Sequence, residues 1–381
     1  MQARIRSVFM RGGTSKGLFF READLPEDPA LRDAVLLRVM GSPDARQIDG
    51  LGAGFSSASK AAILAPPRED GGPVRYTFGQ VGIGAATVDY RGNCGNLSAA
   101  VGPFAIEEGW IEPVEPVTRV GILNTNTDKM ILAEVPVRGG AFQAEGDCSI
   151  PGVPGTGAPI HLSYEDPGGA VTGALLPTGK RSEAVAVPGR GEIEVSIVDA
   201  GNPAVFVRAK DLGLEAIPSP AEVDGNPELM AALEHVRAVA AERCGLVGDA
   251  REAADRSPAV PKVALAAPPE EDAQDVHLSA LIISMGKAHG AYALTGAIAT
   301  CAAAKIRGTV VHAVARETAG GEVTLRHPSG DLTMEVDVEE AGDGGEARVR
   351  WVKTVRTARR LMEGFVLVPG DLLKAGPAAN V

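Results

Sequence analysis

The sequence predicts a two-domain α+β protein built from two similar halves, and three observations predict it. The chain has 381 residues, where a single domain takes roughly 100–200. Its 47 glycines and 27 prolines stand beside 45% hydrophobic but only 4% aromatic residues, the balance of a globular chain with many turns and short strands. The order strand, glycine turn, strand, buried helix, hairpin occurs twice along it.

In the first copy residues 5–10 are a β-like run, Arg11-Gly12-Gly13 is a turn, and Phe19-Phe20-Arg21-Glu22-Ala23-Asp24-Leu25 follows. In the second, residues 193–198, Ala200-Gly201-Asn202-Pro203 and Phe206-Val207-Arg208-Ala209-Lys210-Asp211-Leu212 repeat the pattern, matching at Phe, Arg, Asp and Leu. Asn93-Cys94-Gly95-Asn96 opens an apolar segment over 97–108, and Ser284-Met285-Gly286-Lys287 opens another over 288–305. Both read as buried helices with small residues. Hairpins are expected after each, over 117–123 with 130–137 and over 323–326 with 332–338. Residues 227–247 carry Leu229, Leu233, Val236 and Val239 at the spacing of an amphipathic helix. The division expected is 1–185, carrying Lys60 and Cys94, and 186–381.

Charge and composition exclude several partners. Lys and Arg total 37 against 49 Asp and Glu, a net charge of −12 with no basic block. Nucleic acid and anionic membranes are therefore excluded as partners of the surface, while a small anion needs only a few local donors. The apolar stretch over 281–306 contains Lys287 and His289 and reads as a buried helix, not a membrane span. The first residues lack a signal-peptide core. Cys94, Cys148, Cys244 and Cys301 form no CxxC pair and read as reduced thiols, so a cytoplasmic protein is expected.

The chemistry-bearing motifs each have two readings. Arg11-Gly12-Gly13-Thr14-Ser15-Lys16-Gly17 lacks the Walker A spacing; it is a turn whose amides, hydroxyls and cation hold a carboxylate, or an ordinary hairpin turn. Gly79-Gln80-Val81-Gly82-Ile83-Gly84 runs into a β-like segment, which rejects a Rossmann cofactor. Cys94 at a helix start is a thiol with lowered pKa, usable as acid or base, or a small buried hydrophobe. Lys60 is a solvated lysine or, if buried, a base. The six histidines form no metal-binding spacing, so no metal is expected; His289 alone is kept as a site candidate, against a core role.

These motifs resemble the PrpF family. The resemblance rests on Met10-Arg-Gly-Gly-Thr-Ser-Lys-Gly17, Gln47-Ile-Asp-Gly50, Ser57-Ala-Ser-Lys60, Asn93-Cys-Gly-Asn-Leu-Ser-Ala-Ala100, Gly201-Asn-Pro203, Ser284-Met-Gly-Lys287 and His327-Pro-Ser-Gly330, and covers nearly the whole chain. It implies a diaminopimelate epimerase-like fold, two α/β halves each with a mostly antiparallel sheet wrapped around a central helix and the site in the cleft between them. It also implies a cofactor-independent isomerase that moves a proton and a double bond (1,3-allylic or cis–trans) in an unsaturated di- or tricarboxylate such as 2-methylaconitate, methylitaconate or 4-oxalomesaconate.

Lys60 and Cys94 fall on the family's acid–base positions. The substrate-binding set that goes with them is Arg11, Thr14, Ser15, Lys16, Ser57, Ser59, Asn93, Gly95, Asn96, Leu97, Gly201, Asn202, Met285, Gly286, Lys287 and His289. No cysteine opens the second helix, which disfavours an amino-acid racemase. The alternative from another class is a carboxylate-binding accessory protein that supports an aconitase-like 2-methylcitrate dehydratase. The resemblance also leaves a homo-oligomer open.

Overall fold

Runs of β-branched and aliphatic residues punctuated by glycine close into one sheet that curls around two helices. A computed structural model describes residues 1–317, 320–340 and 347–373. The expected second half thus ends in residues 374–381, which lie outside the described residues. The first part of the chain forms β1 (Gln2–Gly12), β2 (Ser15–Arg21), α1 (Pro29–Met40), β3 (Lys60–Ala65), β4 (Val74–Val81), β5 (Val88–Asp89), α2 (Gly95–Glu107), β6 (Val117–Asn124), β7 (Lys129–Arg138), β8 (Ala141–Phe142) and β9 (Ile160–Glu165). The rest forms β10 (Glu183–Val187), β11 (Gly191–Ala200), β12 (Asn202–Arg208), α3 (Pro220–Asp224), α4 (Pro227–Arg243), α5 (Ala253–Arg256), β13 (Lys262–Ala267), β14 (Leu278–Ser284), β15 (Lys287–Ala288), α6 (Leu294–Lys305), β16 (Glu322–His327), β17 (Gly330–Glu340), β18 (Ala347–Arg356) and β19 (Ala358–Pro369).

One pairing pattern is used twice. Antiparallel β1–β2 leads to parallel β2–β3, antiparallel β3–β4, parallel β4–β6, then antiparallel β6–β7 and β7–β9. Antiparallel β11–β12, parallel β12–β13, antiparallel β13–β14, parallel β14–β16, then antiparallel β16–β17 and β17–β18 repeat it step for step. β9 and β18 join the two sets edge to edge. The last strand returns to the first, from Gln2 opposite Pro369 to Gly12 opposite Ala358. This is the mixed α/β architecture that the resemblance implies.

The two enclosed helices are apolar all round, as a helix with no solvent face must be. Every residue of α2 from Gly95 to Ile106 is buried, and so is every residue of α6 from Leu294 to Ala304. Small residues let the sheet close on them. A Cβ on Gly102 would lie 2.6 Å from a methyl of Val135. Where space is left, Phe104 fills it against Phe19 and Trp110, with centroids 5.8 and 5.3 Å apart. The amphipathic helix expected over 227–247 is α4, which ends at Arg243; Asn226 Oδ1 caps it by accepting from the Leu229 N–H at 3.1 Å.

The second buried helix differs from expectation. Residues 281–306 are not one helix, and 288–305 is helical only from Leu294. Met285 and Gly286 form the two-residue turn of a hairpin in which Ser284 pairs with Lys287. Both have positive φ, 56° and 70°, the type I′ geometry that matches strand twist. β14 is buried except at Ser279 and α6 except at Lys305, so neither shows a polar face, and periodicity cannot separate a buried strand from a buried helix. Met285, Gly286 and Lys287 are therefore a hairpin tip, not a helix entrance.

Candidate active site

α2 and α6 begin at the same place. A Cβ added to Gly95 would sit 3.2 Å from Leu294 Cβ, so the two N-termini converge with their unpaired amide N–H groups and positive dipole ends. Asn202, at the start of β12, ties the two parts of the chain together there. Its Oδ1 accepts from the Asn93 N–H at 2.8 Å, and its Nδ2 donates to the Asn93 carbonyl at 2.8 Å and to Thr295 Oγ1 at 2.9 Å. Between the helix starts lies an enclosed cavity of about 30 Å³, room for about one water. An outer cleft of about 600 Å³ shares Ser56, Ser57, Ser284 and His289 with it.

Lys60 opens β3 and faces this cavity with 8% of its surface exposed. Its Nζ donates to Gln80 Oε1 at 2.7 Å across the strand pair and lies 4.8 Å from the Phe78 ring centre. Gln80 Nε2 donates to the Ser59 carbonyl at 2.9 Å and the Ser56 carbonyl at 3.2 Å. Two carbonyl partners demand the amide nitrogen on that side, so the amide oxygen is the atom turned to Lys60. Burial pushes the amine below its ordinary pKa, while the neighbouring Cys94 opposes the shift through charge and hydrogen bonding. Cys94 is the N-cap residue of α2 and is itself buried.

Two further titratable groups line the same wall. Lys262 opens β13 as Lys60 opens β3, is 9% exposed, and donates Nζ to the Ala259 carbonyl at 2.7 Å. Burial first, then the charge of Lys60, pushes it down to about 8. His289 is half-buried and is pushed down to about 4, mainly by burial and then by Lys60 and Lys262. It is neutral at pH 7, and its Nδ1 accepts from the Ala291 N–H at 3.0 Å, which leaves the proton on Nε2. The Asp89 carboxylate, also on the wall, is held by Arg91 at 2.9–3.1 Å. Asn93 Oδ1 is buried without a hydrogen-bond partner.

Of the residues singled out in the sequence, Lys60, Cys94, Ser15, Ser57, Asn93, Gly95, Asn96, Asn202 and His289 meet at the inner cavity. Thr14, Met285 and Lys287 line the outer cleft instead. Thr14 is joined to the site by accepting from Asn96 Nδ2 at 3.1 Å. The others point elsewhere. Arg11 donates Nη1 to Gly13 O, Thr357 O and Thr357 Oγ1 at 2.9–3.1 Å and so fastens the β1–β2 turn. Lys16, next to Ser15 on an alternating strand, takes the other face and lies over Phe9. Ser59 donates to the Val81 carbonyl and accepts from Gln47. Leu97 is core, Gly201 makes the β11–β12 turn at φ 74°, and Gly286 is the exposed hairpin tip.

Sequence reasoning missed Gln80, Lys262, Ser56, Ser284 and Thr295. For Lys262 a signal existed, since Lys262-Val-Ala-Leu-Ala-Ala267 echoes Lys60-Ala-Ala-Ile-Leu-Ala65. Among the described residues no three His, Cys, Asp or Glu side chains are grouped to hold a metal, and no helix is long and apolar enough to cross a membrane.

With this geometry in hand, the chain can be set beside known proteins. A family model described as PrpF protein matches residues 2–369. The 3-methylitaconate isomerase of Eubacterium barkeri is 45% identical over 379 residues, spanning 96% of this chain and 98% of its own length. A 2-methyl-aconitate isomerase of Shewanella oneidensis is 41% identical over 394 residues, spanning 97% of this chain and 98% of its own. The crystal structure of a methylitaconate-delta-isomerase aligns with a TM-score of 0.77 at 43% identity, covering 100% of this chain and 99% of that one.

Proposed function

The chain belongs to the PrpF family, and on that premise we propose that it isomerises a small unsaturated di- or tricarboxylate by moving one proton across an allyl system. The observation that carries this reading is the pairing of Lys60 with Cys94. A buried amine with its pKa lowered sits beside a buried thiol, at the point where two helix N-termini converge.

Neutral Lys60 takes a proton from the carbon next to the unsaturated carboxylate; a C–H bond breaks and an N–H bond forms. The charge moves into a dienolate whose oxygens meet the amide N–H groups at the starts of α2 and α6. Cys94 returns a proton to the far end of the allyl system, breaking S–H and forming the new C–H. The Lys60 ammonium then gives its proton to the adjacent thiolate, which restores both groups. Ser15, Ser57, Asn93, Asn96 and the neutral His289 supply further donors around the substrate. The reaction as written needs no cofactor, and we place it in the cytoplasm.

Incubating the protein with methylitaconate, aconitate and oxalomesaconate in D2O, followed by NMR, tests the reading. Deuterium enters at least one of them, with migration of its double bond. Folded protein that incorporates none refutes the isomerase; if it still binds the acids, and an aconitase-like dehydratase co-purifies with it, the accessory role takes its place. Lys60→Met abolishes exchange while carboxylate binding persists, and retained exchange removes Lys60 from its role.

A further inference from the structure

Each strand that follows the first parallel crossing of its half begins with a buried lysine at the cavity wall. Lys60 continues the register in which Leu18 pairs with Ala61, and Lys262 that in which Ala204 pairs with it and Val205 with Val263. The two are counterparts in the repeated sheet. Their environments differ. Lys60 has the thiol and the Gln80 amide, whereas Lys262 has one hydrogen-bond partner, the Ala259 carbonyl, with Cys94 and Asp89 acting on it through charge alone. No carboxylate of the described residues forms an ion pair with either amine. Asp89, the acidic group on the wall, already holds Arg91 in a two-point ion pair.

A buried cation without an ion-pair partner is costly, and an anion that binds beside it offsets that cost. From this geometry we infer that Lys262 is the cation that holds the second carboxylate of the substrate, opposite the carboxylate seated on the helix N-termini. It makes the site one for dianions and gives it a way to reject monocarboxylates of the same length. The assignment rests on the reading of the cavity as a dicarboxylate site, but its role is binding, distinct from the proton transfer of Lys60. That Lys262 stays mostly protonated at pH 7, with its pKa near 8, agrees with the role. A bound carboxylate would raise that value further.

The test compares wild-type protein with Lys262→Met by calorimetric titration of succinate and of its monoamide, succinamate, neither of which can be isomerised. Lys262→Met weakens succinate about 10- to 100-fold, the range of one charge-assisted hydrogen bond, and leaves succinamate nearly unchanged. Its Tm stays close to wild type, because removing a buried cation that has no ion-pair partner offsets the lost bond to the Ala259 carbonyl. In turnover it raises KM for the dicarboxylate by the same factor and leaves kcat within a few-fold.

Equal weakening of both ligands overturns the assignment. So does a lowered Tm with succinate binding intact, which makes Lys262 a structural tie for the Ala259 carbonyl. A fall in kcat with KM unchanged also overturns it, moving Lys262 into the proton transfer. Wild-type protein indifferent to both ligands sinks the dicarboxylate reading and takes the assignment with it. Normal succinate discrimination without deuterium exchange would sink only the isomerase reading.

Discussion

Gln80 is the hydrogen-bond acceptor of Lys60, and replacing it in two ways moves the proton affinity of the amine in opposite directions. Its Oε1 accepts from the Lys60 ammonium at 2.7 Å, a bond that stabilises only the charged amine. Removing such an acceptor costs about 1.5–3 kcal/mol, and 1.36 kcal/mol corresponds to one pKa unit. Gln80→Leu therefore lowers the Lys60 pKa further than burial already does. Gln80→Glu instead places a carboxylate against the ammonium. At an effective dielectric of about 20 that attraction is roughly 4 kcal/mol at 4 Å, which raises the pKa. The assay is the pH profile of kcat/KM, whose acid limb reports the base in the free enzyme. In Gln80→Leu the limb moves to lower pH. In Gln80→Glu it moves up and activity at pH 7 falls. Both variants lose the bonds from Nε2 to the Ser56 and Ser59 carbonyls, so structural damage is common to the pair and only the direction of the limb separates them. Limbs that move the same way, or not at all, refute Lys60 as the base.

Three other outcomes are expected. Cys94→Ala lowers isomerised product by about 10²–10⁴-fold, the usual contribution of a placed acid, while deuterium still enters the position that Lys60 deprotonates; NMR in D2O reads both. In Gly12→Ala the new Cβ meets the Asn96 carbonyl oxygen at 2.5 Å and Leu97 Cα at 3.0 Å. These are backbone atoms that cannot turn aside, so α2 shifts at its start. Stability falls by about 1–3 kcal/mol, read as a lower Tm, and exchange falls with it because the Asn96 region lines the site. His327 is buried and pushed down to about 4 by burial and then by Arg356. Its folded pKa lies below the ordinary 6.5, so its contribution is full above pH 6.5 and is lost as pH falls from there to 4. The loss is at most about 3 kcal/mol. Denaturant midpoints measured over that window drop in the wild type and drop less in His327→Gln.

The repeated topology was legible because its carriers are local. Phe19 and Phe206 sit in matched strands, Gly12-Gly13 and Gly201 make matched turns, and both hairpins after the helices formed as read. The pairing of Lys60 with Cys94 was legible through the family resemblance, and burial of Lys60 beside the thiol agrees with it. What sequence could not give was direction. Ser15 and Lys16 are neighbours, yet one faces the cavity and the other the opposite side of the sheet. Arg11, the most suggestive cation in the first turn, is taken up by Thr357, 346 positions away. Such choices follow from register and from distant backbone, which no local pattern encodes.

The misplaced second helix shows why the second half was harder to read, and what its chemistry is. Phe19 and Phe206 are 187 positions apart, but Lys60 and Lys262 are 202 apart, because α3, α4 and α5 are inserted before β13. At a constant offset Cys94 would fall against the 284–287 turn. Strand pairing corrects the match. The β14–β15 turn corresponds to the link between β4 and β5, and the residue that opens α6 as Cys94 opens α2 is Ala293. Ala293 carries no proton. Of the two helix entrances, only that of α2 supplies a thiol. The second half supplies a lysine and a neutral imidazole to the cavity wall instead. The sheet is symmetric but its helix entrances are not, with a thiol at the start of α2 and a methyl at the start of α6, and this asymmetry fits the proposed transfer of one proton along an allyl system.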